Sequence, residues 1–196
     1  MQKRSVKPQR GFFPQPAYLV GCFGQDGRAN FALNTWITVC STEPPGLVLT
    51  AGDAHLKKTA GRILETGVFS ANLVTESILE AADYCGVVSG HAVDKVETTG
   101  LSWGKGAVLD VPVLDDSPWV YECMVIQSVR SGDGTLFLSK VESMQLDEGI
   151  SDPSLGKVDI RRVAPVIYAH FAYYSLGPRI FSVGESLGKF GAVTAQ

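Results

Sequence analysis

The chain has 196 residues, 45% of them hydrophobic and 19% charged, with a formal net charge of −3. This length is most simply one domain with a sizeable buried core, and the composition is too apolar for a disordered protein. The nearly balanced charge excludes a global field that attracts nucleic acid or an anionic membrane, so the sequence predicts neither partner.

The four cysteines, at positions 22, 40, 85 and 123, have no C-x-x-C spacing. They therefore fit no zinc pattern. We interpret them as small hydrophobic residues of a protein in a reducing compartment.

The N-terminal residues are basic and rich in proline, which predicts an extended arm over residues 1–16 and a single domain over residues 17–196. Residues 19–22, Leu-Val-Gly-Cys, look like a lipoprotein cleavage box, but Pro14 and Pro16 interrupt the apolar core of about 7–15 residues that a signal peptide needs. The late apolar stretch at 163–176 is too short to cross a bilayer. The sequence therefore predicts a cytoplasmic protein without a membrane partner.

The first part of the domain reads as strands. Apolar residues predict a strand over 17–21, a glycine-rich turn over 24–27, a strand over 28–38 and another over 47–49. The glycines at 21, 24 and 27 have the wrong spacing for a dinucleotide fingerprint, and a strand rather than a helix follows them.

Two short helices follow. Thr59 is the predicted N-cap of the first helix, and Gly67 is its C-terminal glycine. After a strand over 68–73, Thr75 is the predicted cap of the second helix.

Residues 87–106 form a polar connector without clear periodicity, and its length indicates a functional loop. Strands are predicted again over 107–109, 119–129 and 135–144, the last two joined by a turn at 131–134. Many short strands with two isolated helices predict a mainly β fold, an antiparallel and at least partly closed barrel.

Motifs for a catalytic nucleophile or a metal are lacking. The sequence has three histidines, no G-x-S-x-G and no H-E-x-x-H. The acidic pairs at 115–116 and 147–148 lie in turn-like, solvated contexts. We therefore predict no catalytic side chain and no metal.

A binding site for an anionic, flat, aromatic ligand is better supported. Lys58 and Thr59 stand at the start of a predicted helix, where ammonium, hydroxyl and free N–H groups can bind phosphate. Trp36 lies on the preceding strand beside Asn34, so it could contact a ring while its polar neighbours bind the rim. Each feature alone is more often a solvated lysine pair or a core tryptophan.

The order of several short motifs resembles a known family. The motifs are Leu19-Val20-Gly21-Cys22, Gly27, Asn30, Trp36, Pro44-Pro45, Thr59, the run at 65–72 (ETGVFSAN), Asp94-Lys95, Thr99-Gly100-Leu101, Glu122-Cys123, Pro165-Val166-Ile167-Tyr168 and Leu176-Gly177. Over most of residues 17–177 this pattern is similar to the flavin reductase family of FMN-binding split barrels, in its flavoredoxin-like branch.

The resemblance implies a Greek-key, antiparallel split barrel that forms a homodimer, with one FMN per subunit near the interface. By position, it implies FMN-binding roles for Asn30, Trp36, Thr59 and Lys95, with Lys58 and Thr59 facing the phosphate. The residues that it places along the flavin, beside Asn34, are Thr35, Trp36, Ile37, Thr38 and Asn72.

The implied activity is hydride transfer from NAD(P)H to FMN, followed by release of reduced flavin or transfer of electrons to an acceptor protein. One departure concerns the hairpin turn, where the family pattern has a histidine after Gly-Asp and this chain has Gly134. His170 is a candidate substitute. Two alternatives therefore stay open: an FMN electron carrier of the flavoredoxin type without useful NAD(P)H activity, and a non-flavin barrel that binds another ligand or a protein.

Overall fold

The computed structural model describes residues 3–5, 7, 14–152 and 157–190. Its strands are β1 (Gln15–Pro16), β2 (Tyr18–Phe23), β3 (Ala29–Asn34), β4 (Ile37–Thr42), β5 (Pro45–Gly52), β6 (Val68–Leu73), β7 (Trp103–Lys105), β8 (Pro112–Leu114), β9 (Trp119–Ser131), β10 (Gly134–Leu146), β11 (Ser151–Asp152), β12 (Lys157–Val158), β13 (Val166–Ala169) and β14 (Ala172–Ser175). Its α-helices are α1 (Lys58–Thr66), α2 (Leu79–Val87), α3 (Lys95–Thr99), α4 (Ile160–Val163) and α5 (Leu187–Phe190).

Seven antiparallel strands form the main sheet in the order β3-β2-β6-β9-β10-β5-β4. The two edge strands, β3 and β4, follow each other in the chain, and the sheet edges meet at one end. There the side-chain Nδ2 of Asn34 donates to the Thr50 carbonyl at 3.0 Å, and the Thr50 N–H donates to the Trp36 carbonyl at 2.8 Å. The predicted mainly β, antiparallel fold is confirmed.

The sheet has a core on each face. On one face α1 packs through Ala60 and Ile63 against residues such as Phe69 and Phe137. On the other face α2 covers the cluster around Phe31. Because both faces are covered, the site described below is held between two rigid layers at one end of the sheet.

Some predicted elements are confirmed. The strand over Val68–Leu73 has the predicted bounds. Gly67 ends α1 in the left-handed conformation with φ 72°, which glycine adopts at no steric cost. The hairpin strands β9 and β10 are also found, and each extends about two residues beyond the prediction at the turn or at its far end.

The prediction of one strand over 28–38 is wrong in one respect, because the strand is interrupted at Thr35 and Trp36. The backbone N–H of Trp36 donates to the Asn34 side-chain oxygen at 2.7 Å, and β4 begins at Ile37. The predicted cap of α1 is wrong, because Lys57 and not Thr59 is its N-cap. Thr75 is the N-cap of the second helical segment, as predicted, but its hydroxyl bonds to the Ser77 hydroxyl and not to a helix N–H.

The region 87–109 differs most from the prediction. The connector contains α3, whose N-cap Asp94 accepts a hydrogen bond from the Glu97 N–H. The predicted strand over 107–109 is absent, since the N–H groups of these three residues donate to the carboxylate of Glu122. A side chain thus replaces the strand partner for this segment.

The N-terminal arm predicted over 1–16 lies mostly outside the described residues. Its last two residues form β1 and pair with Tyr168 and Ile167 of β13. Among the described residues, no helix combines the length and the apolar character that crossing a membrane requires.

Gly21 sits where the strands and the β8 segment approach most closely. A Cβ at this position would lie 2.5 Å from the Ser70 hydroxyl oxygen and 2.7 Å from the Pro112 carbonyl oxygen. We expect Gly21→Ala to lower the free energy of unfolding by about 2 kcal/mol through overpacking, as measured by urea denaturation. Gly177→Ala is the control, because its Cβ would meet nothing within 4 Å. Equal stability of both variants would contradict this prediction.

Candidate functional site

A cavity of about 210 Å³ lies where the end of β3, β5, the start of α1 and the loop after α2 converge. Its lining contains both apolar and polar residues. The apolar part of the lining is Val20, Ala32, Leu33, Leu49, Ala51, Ala60, Ile63, Val87 and Val88. The polar part includes Asn34, Lys57, Lys58, Thr59, Ser89 and Lys95.

Three lysines give the polar part a strong positive charge. Lys57, Lys58 and Lys95 all line the cavity, and its described lining contains no aspartate or glutamate. An anion placed there would therefore meet ammonium groups without a competing carboxylate. Such a site favours phosphate or another strongly hydrated anion with oxygen acceptors.

Asn30 and Thr59 form a buried pair beside the lysines. The Nδ2 of Asn30 on β3 donates to the hydroxyl oxygen of Thr59, in the first turn of α1, at 2.7 Å. The Thr59 hydroxyl proton is then available for a ligand oxygen, since a hydroxyl can both accept and donate. A Cβ on Gly90 would lie 2.5 Å from the Asn30 side-chain oxygen, so only glycine lets the loop after α2 close over this pair.

Lys95 is buried, and no carboxylate among the described residues forms an ion pair with it. Its ammonium group donates to the Cys85 carbonyl at 2.6 Å and to the Phe31 carbonyl at 3.2 Å. Since an ammonium group has three donors, one remains for the cavity that Lys95 lines. Burial lowers the pKa of Lys95.

The two buried thiols near Lys95 are poor nucleophiles. Burial raises the pKa of Cys22 to about 11 and that of Cys85 to about 11. A thiol with such a pKa stays protonated near neutral pH. These two thiols therefore supply no negative charge to Lys95.

Residues 35–38, which include Trp36, follow Asn34 in the chain but do not line the cavity. Trp36 is 46% exposed, Thr38 is exposed and Thr35 is half-buried, whereas Ile37 is buried in the core below α1. None of these four residues belongs to the described lining of the cavity. These residues can therefore contact only a part of a ligand that extends out of the cavity.

Asn72 and His170 lie elsewhere. Asn72 is fully buried: its Nδ2 donates to the Leu19 carbonyl at 2.8 Å, and its Oδ1 accepts from the Leu114 N–H at 2.8 Å. These bonds join β2, β6 and β8. His170 is exposed at the β13–β14 turn with φ 49° and is not in the cavity lining. Of the predicted site residues, the structure brings together Asn30, Asn34, Lys58, Thr59 and Lys95.

The sequence predicted a functional loop over 87–106, but it did not assign residues 86–90 or the Cys85 carbonyl to this site. The paired glycines Gly86 and Gly90 were the available signal. A Cβ on Gly86 would lie 2.9 Å from the Leu33 Cβ, so glycine permits the close approach of α2 to β3.

Comparison with known families identifies the family of the chain. The sequence profile described as Flavin reductase like domain matches residues 10–177. The chain belongs to this family. As a flavin reductase-like protein, it has the predicted split-barrel fold.

Individual relatives extend the comparison. The structure of the flavoredoxin of Desulfovibrio vulgaris (Miyazaki F) superposes with a TM-score of 0.86 at 27% identity, covering 94% of this chain and 99% of that one. A Thermus thermophilus FMN-binding protein has a TM-score of 0.77 at 24% identity, covering 93% and 99% of the two chains, and so supports the fold alone. An uncharacterized Aquifex aeolicus protein is 28% identical over 146 residues, 70% of this chain and 74% of that one.

Proposed function

We propose that this protein binds FMN in the cavity, accepts a hydride from NAD(P)H and passes the electrons onward. The observation that carries the proposal is the cavity itself, whose described lining combines apolar residues suited to a ring with three lysines suited to a phosphate and contains no carboxylate. The recipient would be free reduced flavin leaving the protein or an electron-acceptor protein. We also propose a single domain over 17–196 and a cytoplasmic location.

The protein residues would supply binding and orientation. Lys57, Lys58 and Lys95 would neutralise the phosphate, while the Thr59 hydroxyl, held by Asn30, would donate to one of its oxygens. FMN, when bound, supplies the capacity to take up a hydride and release electrons. The Asn34 side chain, which also joins β3 to β5 through Thr50, would contribute a polar contact from the lining.

A homodimer would complete the site. The cavity of about 210 Å³ is below the roughly 300–1,000 Å³ of sites that enclose ligands of this size. Part of FMN would therefore project beyond the rim, past Trp36. A second subunit at this position would cover the projecting part and exclude water from it.

Flavin fluorescence and absorbance test the proposal. FMN is titrated into the purified protein while flavin fluorescence is followed, and the loaded protein is then mixed anaerobically with NADH and with NADPH. We expect saturable quenching with one FMN per chain, followed by bleaching of the flavin absorbance with at least one nucleotide. Absence of saturable FMN binding would overturn the proposal.

Removal of the Thr59 hydroxyl tests the phosphate end. We expect Thr59→Ala to weaken FMN binding about tenfold, because a hydrogen bond to a charged group contributes on the order of 1.5 kcal/mol. Thr66→Ala is the matched control: Thr66 lies at the other end of the same helix, where its hydroxyl donates to the Arg62 carbonyl at 2.8 Å. FMN titration measures both, and equal dissociation constants for the two variants would contradict the assigned role.

The second candidate is an FMN electron carrier without useful NAD(P)H activity. It is favoured by Gly134, which pairs with Gly52 beside the cavity, where a Cβ would lie 3.0 Å from the Ala51 carbonyl oxygen. The hairpin therefore presents no side chain to a nicotinamide at this point. FMN binding without bleaching by either nucleotide would support the carrier.

A further inference from the structure

The C-terminal segment after β14 is an apolar arm that stands away from the rest of the chain. We define this C-terminal arm as residues 176–190. Ile180 is 93% exposed and Phe181 is 60% exposed, and Val183 is fully exposed. Turns within the arm are held by local bonds, such as that from the Leu187 N–H to the Gly184 carbonyl at 3.0 Å.

The exposed apolar area of the arm is large for a free surface. Five large apolar residues of the arm have a described exposure of at least 46%: Leu176, Ile180, Phe181, Val183 and Leu187. Their summed exposed area, backbone included, is on the order of 700 Å², whereas the largest apolar patch on a typical monomer is roughly 300–600 Å². A specific interface buries about 800 Å² on each partner, an area of the same order.

The chain also has a strand edge that is partly unpaired and carries exposed apolar side chains. In β10 the residues 134–140 pair with β5, but among the described strands the residues 141–146 pair only with β9. Along this free edge Met144 is 51% exposed and Leu146 is also exposed. We name residues 141–146 the β10 edge.

We propose that the C-terminal arm of one copy packs along the β10 edge of a second copy. Two copies related by a two-fold axis make this contact twice, which doubles the buried area and leaves neither the arm nor the edge uncovered. An unpaired strand edge also offers backbone donors and acceptors to an extended segment. The inference rests on the proposed homodimer and is independent of FMN.

Sedimentation of full-length protein without FMN tests the proposal. We expect wild type to be a dimer and Ile180→Asp/Phe181→Asp to dissociate at least 100-fold more readily, because two charges would enter an apolar contact. Ser186→Asp is the control, since it adds a charge at an exposed polar position of the same arm. It should leave the dimer unchanged.

Mixing variants tests the reciprocal geometry. Met144→Asp, checked for a native melting transition, should also dissociate the dimer. An equimolar mixture of the arm variant and the Met144→Asp variant should recover a heterodimer, because one arm and one edge in that pair are intact. A dimer that survives in the arm variant, or no recovery on mixing, would overturn the arm contact alone. A monomeric wild type would overturn the homodimer as well, while FMN titration reports separately on the cavity.

Discussion

Glu122→Gln should lower the free energy of unfolding by about 3 kcal/mol, because a buried charged acceptor with several donors is lost. The Glu122 carboxylate is fully buried in β9. One oxygen accepts from the Ala107 N–H at 2.8 Å and from the Gln145 side-chain amide at 2.9 Å. The other accepts from the N–H groups of Val108 and Leu109 at 3.0 and 2.7 Å.

Urea denaturation at neutral pH measures this loss. Glu142→Gln is the matched control, because Glu142 forms an ion pair with the partly exposed Lys140, and such pairs contribute about 0–1 kcal/mol. If Glu122→Gln were as stable as Glu142→Gln, the carboxylate would not be what holds the segment 107–109.

The stability difference between wild type and Glu122→Gln should depend on pH. Burial raises the pKa of Glu122, but the Leu109 and Val108 N–H groups and its other donors lower it more, so the net pKa is lowered. The carboxylate therefore contributes stability that is present above the unfolded pKa of about 4.3 and is lost as the pH falls through the folded pKa. The stability difference between wild type and Glu122→Gln should shrink in that acidic range.

Lys95→Met should weaken FMN binding about 30-fold, since a charge-assisted bond to phosphate contributes about 2 kcal/mol. Riboflavin, which lacks the phosphate, should bind the variant and wild type with similar affinity. Lys105→Met is the control, because Lys105 is an exposed lysine outside the cavity lining. Fluorescence titration with both flavins measures the effect.

An equal loss of affinity for FMN and riboflavin would contradict this role, because it would indicate a general distortion of the cavity. The pH profile gives a second readout. Burial lowers the pKa of Lys95, so its charge is lost at a lower pH than that of an ordinary lysine. FMN affinity in wild type should therefore fall as the pH rises through that pKa, and the Lys95→Met variant should lack this component.

Local signals in the sequence were sufficient for several elements. The segment at 68–73, which begins with Val68 and Phe69, and the glycine at 67 predicted β6 and the end of α1, because strand propensity and left-handed glycine depend on near neighbours. The motif order from 19 to 177 was sufficient for the family, which the profile match over 10–177 confirms.

Local signals failed where a side chain, and not a neighbouring strand, is the hydrogen-bond partner of the backbone. The segment 107–109 looked like a strand, yet its N–H groups bond to Glu122, which is 13–15 residues away in the chain. The strand predicted through Thr35 and Trp36 breaks because the Asn34 side chain takes the Trp36 N–H and reaches Thr50. The bonds to Glu122 and Thr50 have no signature in the neighbouring residues, whereas the bond from the Trp36 N–H to the Asn34 side chain is a local turn that asparagine favours.

By itself, the sequence determined the fold class and the family, and it named the residues of a proposed ligand site. Only the tertiary structure decided which candidates share one cavity, bringing Lys95 to Thr59 and Asn30 while leaving Asn72 in the core and His170 on an exposed turn. The physical reason is that strand pairing and helix packing set distances between residues far apart in the chain. Spacing along the chain does not encode those distances.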